Sequence, residues 1–181
     1  MVAIRLATKE DACQVLEIYA PYCTDSYISL KNKPPTLEEM EERIAGSTNH
    51  PFLVASDRQS ITGYAYAGAH RQREAYRFSV ETSIYIRDTY RKTGIGRILY
   101  QKLFDILKKQ GYCNAYAGIA LPNPASESFH ESLEFTYIGT YQNIGFKLGA
   151  WHSVGWWQLR LRHDQRPQEI MSLVEAIEQM P

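Results

Sequence analysis

The chain has 181 residues, enough for one domain whose core needs neither disulfides nor metals. Lysine plus arginine number 20 and aspartate plus glutamate 20, so no net field favours nucleic acid, an anionic membrane or an acidic partner. Three cysteines, Cys13, Cys23 and Cys113, form no C-x-x-C pair and suit a reducing compartment, with cytoplasm as the default; the N-terminal stretch meets charge at once and offers no signal peptide or bilayer span.

In chain order, Val2 to Ala7 reads as a short strand, and Thr8 with Asp11 opens a helix to about Tyr22. Cys23 to Lys33 is irregular and could reach a substrate. Thr36 with Glu39 starts a second, charged helix through about Ser47. Phe52 to Ala55 and Ile61 to Gly68 flank the polar turn Ser56 to Ser60, the pattern of a β-hairpin. Tyr76 to Ile86 alternates as a strand, with Phe78, Val80, Thr82, Ile84 and Ile86 on one face and Ser79, Glu81, Ser83 and Tyr85 on the other. Ile95, Leu99, Leu103 and Ile106-Leu107 recur at helical spacing up to Gly111. A strand near Cys113 to Ile119, a helix over Pro124 to Leu133, a strand from Phe135 and a last strand through Trp156 to Leu161 complete the domain. The expectation is a mixed, twisted α/β sheet with helices on both faces over residues 1–163, followed by a tail, 164–181, with a short helix.

The segment after Ile86 carries the chemistry. Arg91-Lys92-Thr93-Gly94-Ile95-Gly96-Arg97 starts a helix whose first-turn N–H groups lack intrahelical partners. Two glycines allow close backbone approach, the helix dipole adds about half a positive charge, and Arg91, Lys92 and Arg97 add more. The arrangement suits a pyrophosphate. A dinucleotide fingerprint would need glycine at Leu99, and a nucleoside-triphosphate loop would need Gly-Lys-Ser/Thr, so neither matches.

Arg-x-x-Gly-x-Gly after a strand resembles the signature of the GNAT superfamily, whose turn binds the pyrophosphate of acetyl-CoA, and Asn123 to Phe135 resembles the later motif of the same superfamily. Glu81 to Ile86, Ala120 to Asn123 and Gly145 to His152 are similar to phosphinothricin N-acetyltransferases and related L-amino acid N-acetyltransferases. The resemblance runs from about Ile4 to Leu161 and implies the GNAT acyl-CoA N-acyltransferase fold.

It also implies residue roles. The strand at Ile84, Tyr85 and Ile86 would present its backbone to the pantetheine arm; Arg91, Lys92, Thr93, Gly94, Ile95 and Gly96 would cradle the pyrophosphate; Asn123 would contact the cofactor further along. Glu81 would be the general base, perturbed upward by burial or relayed by water, because a free glutamate titrates near about 4.3 and an α-amino group near about 8. His130 stands where the family places the group that protonates the departing thiolate, and is expected more as a cofactor contact than as that acid. Arg71 and Arg73 would clamp a substrate carboxylate or phosphinate, with Tyr76 and Tyr100 lining the same pocket. Leu30 departs from the aromatic expected at a substrate-facing position.

No metal is implied, since His130-Glu131-x-x-Glu134 lacks the second histidine of a zinc protease. The resemblance implies a homodimer that moves acetyl from acetyl-CoA to the α-amino group of a small amino acid or analogue, and the balanced charge gives no reason to expect a nucleic acid or membrane partner. A peptide N-terminal acetyltransferase and a non-catalytic acyl-CoA-binding module remain alternatives.

Overall fold

The computed structural model describes residues 2–58, 60–163 and 166–180. The polar turn expected over Ser56 to Ser60 and the start of the tail at Asp164 each fall partly outside the described residues.

Strand β1 (Val2–Leu6) leads into a 3-10 turn, Lys9–Asp11, and then helix α1 (Ala12–Thr24). Asp11 Oδ2 accepts the Thr8 backbone N–H at 2.8 Å, and Arg5 grips the same carboxylate at 2.6 and 2.7 Å. The capping pair therefore tightens the helix entry into a 3-10 turn before α1 begins. Helix α2 (Leu37–Ala45) starts on a reciprocal cap: Thr36 Oγ1 accepts from Glu39 N–H at 3.1 Å and Glu39 accepts from Thr36 N–H at 2.8 Å.

Strands β2 (Phe52–Asp57) and β3 (Ser60–Ala69) form the expected hairpin. Strand β4 (Ser79–Ile86) begins later than the sequence pattern suggests. Tyr76 N–H bonds Arg73 O at 2.9 Å and Arg77 N–H bonds Glu74 O at 3.0 Å, so residues Glu74–Tyr76 close a 3-10 turn before the ladder with β3 starts. Helix α3 (Ile95–Gln110) ends at Gly111, whose φ of 105° closes the C-terminus as the sequence suggests. Strand β5 (Asn114–Leu121), helix α4 (Pro124–Glu131), strands β6 (Thr136–Lys147) and β7 (Ala150–Arg160) and helix α5 (Leu173–Glu178) follow.

The last two strands are longer than the sequence pattern indicates. They form one hairpin turned by Leu148 and Gly149 at φ 52° and 77°. Two successive positive φ values match a tight hairpin turn, but leucine hides the usual Asn-Gly signal.

The seven strands run β1-β2-β3-β4-β5-β7-β6, antiparallel throughout except for β4 beside β5. Helices α1 and α2 bury Val15, Ile18, Met40 and Ile44 over one face, against Val54 and Tyr64. Helix α3 buries Leu99, Leu103 and Leu107 over the other, against Ala65, Val80 and Ala115, with α5 adding Leu173. Each fully buried leucine stabilises by about 1.5–3 kcal/mol through transfer from water. The two cores fix β4 from both sides, which matters because β4 carries the site.

Candidate active site

β4 and β5 pair for only three rungs, Ser79 with Asn114, Val80 with Ala115 and Glu81 with Tyr116. Beyond Glu81 the strands part. Thr82, Ser83, Ile84 and Tyr85 form one lip of the resulting cleft, and Ala117 to Ala120 the other; its space, open solvent included, is about 410 Å³. Ile86 lies past this lip, paired with Gly63. The β4 edge facing the gap has no strand partner there, which leaves backbone groups for an extended ligand.

Helix α3 opens on Gly94, at φ 88°, and no side chain caps it. Its first-turn N–H groups are thus available to an anion. Ile95 puts its side chain in the core, so only its backbone can serve a ligand. A Cβ on Gly96 would meet Phe129 of α4 at 3.2 Å and Ile84 of β4 at 3.6 Å, so glycine there lets helix, strand and α4 close together. Lys92 is at φ 60°, and Thr93 Oγ1 donates to Tyr90 O at 2.6 Å, shaping the loop. Arg91 bonds Tyr22 Oη at 2.8 Å and Asp88 at 2.7 Å while staying half exposed. Arg97 does not join the loop: it donates to Ser132 O at 3.3 Å and Oγ at 3.0 Å, at the far end of α4.

Asn123 lines the cleft and caps α4, its Oδ1 accepting from Ser126 N–H at 3.2 Å. His130 lies on the cleft floor, 4 % exposed. Its Nδ1 is 2.8 Å from the Ser126 carbonyl, which can only accept, so Nδ1 carries the hydrogen. Burial lowers the imidazole pKa and keeps the ring neutral, although the Ser126 bond opposes the shift. Nε2 then accepts the Tyr100 hydroxyl at 3.2 Å and has no proton to give, which favours contact over general acid. Tyr100 is fully buried and belongs to this cleft, and not to the arginine pocket expected for it.

That second pocket, about 1060 Å³ of open space, is lined by His70, Arg71, Gln72, Arg73 and Tyr76. Arg71 donates to Tyr141 Oη at 3.5 Å and lies over Trp156 at 5.9 Å. Glu81 is half-buried beside this loop; burial raises its pKa, with Arg71 opposing. His70 Nδ1 stands 3.8 Å from Glu81 Oε2. His70 escaped the sequence reading because a lone histidine at a strand end carries no motif.

Leu30 lines neither pocket: it packs on Gly145, where an added Cβ would come within 2.9 Å of it. Ile28, on the same loop, lines the cleft instead. The loop is held by Lys147 of β6, whose buried Nζ donates to Ser29 O at 2.6 Å, Lys31 O at 2.8 Å and Tyr22 O at 3.4 Å.

Residues 4–156, which include the parted parallel strands and the glycine-opened helix, match a family model, an acetyltransferase (GNAT) domain. The chain belongs to the GNAT family. As a GNAT acetyltransferase it is 35 % identical over 158 residues to a phosphinothricin N-acetyltransferase of Streptomyces viridochromogenes, covering 87 % of this chain and 86 % of that one. It is 30 % identical over 173 residues to an L-methionine sulfoximine/L-methionine sulfone acetyltransferase of Salmonella typhimurium, covering 92 % and 98 %. The crystal structure of a Sinorhizobium meliloti GNAT phosphinothricin acetyltransferase in complex with acetyl-CoA superposes with a TM-score of 0.82 at 32 % identity, over 93 % of this chain and 89 % of that one. The mixed seven-stranded sheet of this GNAT domain is the fold expected from the sequence. Among the described residues no helix is long and apolar enough to cross a membrane, and no cluster of His, Cys, Asp or Glu is placed to hold a metal.

Proposed function

We propose that the protein transfers acetyl from acetyl-CoA to the α-amino group of a small amino acid or analogue of the phosphinothricin, methionine sulfoximine or methionine sulfone type. The supporting observation is the position of Glu81, at the last paired rung before the cleft lip begins at Thr82 and 3.8 Å from His70 of the pocket carrying Arg71 and Arg73. Pantetheine would lie along Ser83 to Ile86, with its pyrophosphate at Lys92 to Gly96 and Arg91 beside it. Asn123 and His130 would contact the arm. Arg71, Arg73 and Tyr76 would take the carboxylate or phosphinate, since guanidinium pairs bidentately with planar oxyanions.

The amine attacks the thioester carbonyl directly and Glu81 takes a proton from the attacking nitrogen. Its burial shortens the gap to the amine, because desolvation disfavours the carboxylate. The enzyme works as a homodimer in the cytoplasm. The β6–β7 hairpin, with Ile144, Phe146, Leu148 and Trp151 exposed at an edge of the sheet, supports the dimer; a sizing measurement tests it.

The test incubates the protein and acetyl-CoA with phosphinothricin, methionine sulfoximine, methionine sulfone, the common amino acids and short peptides, following free thiol and product mass. Amino-acid turnover supports the reading. Preference for peptides replaces it with N-terminal acetylation, and acetyl-CoA binding without turnover replaces it with a binding module.

A further inference from the structure

His70 follows β3 and is wedged among aromatic rings. It stacks on Tyr116 of β5 at 4.4 Å between centroids, and meets Trp156 of β7 edge-on at 5.8 Å and Tyr76 edge-on at 6.2 Å. Three rings fix the plane of the imidazole. Nδ1 is shut from solvent without a hydrogen-bond partner, and faces Glu81 Oε2 across 3.8 Å. The ring otherwise lines the arginine pocket, where its side chain keeps 14 % exposure. An unpartnered buried nitrogen facing a carboxylate is best satisfied as a donor, N–H toward Glu81. That leaves the Nε2 lone pair for the pocket.

We propose that His70 takes the proton from the substrate ammonium before attack, through Nε2, while Glu81 faces its Nδ1–H and stabilises the imidazolium that forms. The inference rests on the amino-acid acetyltransferase reading above and extends it to a second base. An amino acid arrives as an ammonium ion and must lose two protons from nitrogen to become an amide, one before attack and one after it, so the two transfers can be given to different bases. In the first step one N–H bond breaks, its electron pair stays on nitrogen, and the proton goes to Nε2. The lone pair then forms the C–N bond to the thioester carbonyl, and the C–S electron pair leaves with sulfur as the thiolate. The second proton passes from nitrogen to Glu81 and on to the thiolate, and the imidazolium returns its proton to solvent.

Arg71 and Arg73 holding the carboxylate would leave the ammonium against His70, since all three line one pocket. An imidazole, near about 6.5 when free, starts closer to an amine near about 8 than a carboxylate near about 4.3, and burial narrows that difference by lowering the one and raising the other. Burial and the Arg71 charge lower the His70 pKa, so the ring rests neutral and ready to accept. The groups facing it are Glu81 from β4, Tyr116 from β5, Tyr76 from the 3-10 turn and Arg71 beside it; Trp156 from β7 carries no charge.

The experiment measures kcat/KM at saturating acetyl-CoA from pH 6 to 10 for wild type, His70→Gln and His70→Phe, the last keeping a ring to stack on Tyr116. The acceptors are the best amino acid found for the wild type and a simple amine already neutral at the assay pH. At pH 7 both variants lose about 100-fold with the amino acid. The loss shrinks to a few-fold above the amine's own pKa and is small with the neutral amine, while acetyl-CoA affinity is unchanged. A loss equal at every pH and with both acceptors, or no loss at all, overturns the role of His70. A wild type that acetylates no amino acid overturns the functional reading first and the inference with it.

Discussion

Tyr100 and His130 meet at 3.2 Å on the cleft floor, the hydroxyl donating to Nε2 while the opposite ring nitrogen donates to Ser126. Both groups are buried, so the ring is stable only while neutral. Its folded pKa lies below the unfolded value of about 6.5, so the stability it contributes is present above that pH and is lost as pH falls through the lower folded value. Thermal melts of the wild type should therefore weaken from pH 7 to pH 5, and His130→Gln should flatten that slope. Tyr100→Phe, which leaves Nε2 buried without a donor, should cost about 1–3 kcal/mol in chemical unfolding.

Glu81→Gln keeps the shape of the rung with Tyr116 and removes the basic oxygen. Turnover should fall about 100- to 10,000-fold with little change in the KM for acetyl-CoA. Because burial raises the Glu81 pKa, the acid limb of the wild-type kcat profile should lie above the ordinary carboxylate range and should be absent from whatever activity the variant keeps.

Gly94→Ala places a Cβ in open space but at φ 88°, so its cost is backbone strain of about 1–2 kcal/mol. Gly96→Ala has the opposite problem, an allowed backbone and a Cβ 3.2 Å from Phe129. Both should raise the KM for acetyl-CoA by about tenfold, as roughly 1.4 kcal/mol of lost binding would. Trimming Phe129 to leucine should relieve the second variant and leave the first unchanged.

Lys147→Met preserves much of the side chain's length but removes the donor to the Ser29 and Lys31 carbonyls and one of the two side-chain donors to the Tyr22 carbonyl. The expected cost is at least about 2 kcal/mol in a urea titration. The KM for acetyl-CoA should rise more than the KM for the amino acceptor, because the freed loop carries Ile28, which lines the cofactor cleft and not the arginine pocket.

The sequence made the sheet and the anion-ready helix legible because their signals are local: caps at Thr36 and Asn123, alternation through β4, and a glycine at each end of α3. What stayed hidden depends on contacts distant in the chain. Arg97 sits in the basic run, yet its partner is Ser132. Leu30 and Ile28 are two residues apart, and only the packing on Gly145 decides which faces the cleft. His70 gains meaning from Glu81 and Tyr116 on neighbouring strands. Lys147 reads as an ordinary strand-end lysine until the loop's carbonyls converge on it.

That convergence also orders events during synthesis. The end of α1 and the loop to Lys31 leave the ribosome early, whereas their anchor lies up to 125 residues later, in the last hairpin of the sheet. A nascent chain can build the β1–β4 meander and α3 from nearer contacts, but the Ile28 wall of its cofactor cleft is not fixed until β6 has been made and has folded back. Long separation of this kind slows assembly, because the chain must close a large loop before the contact forms. A chain released before Lys147 would carry the cofactor helix and Glu81 in its sequence and still lack the fastening that holds Ile28 against the cleft.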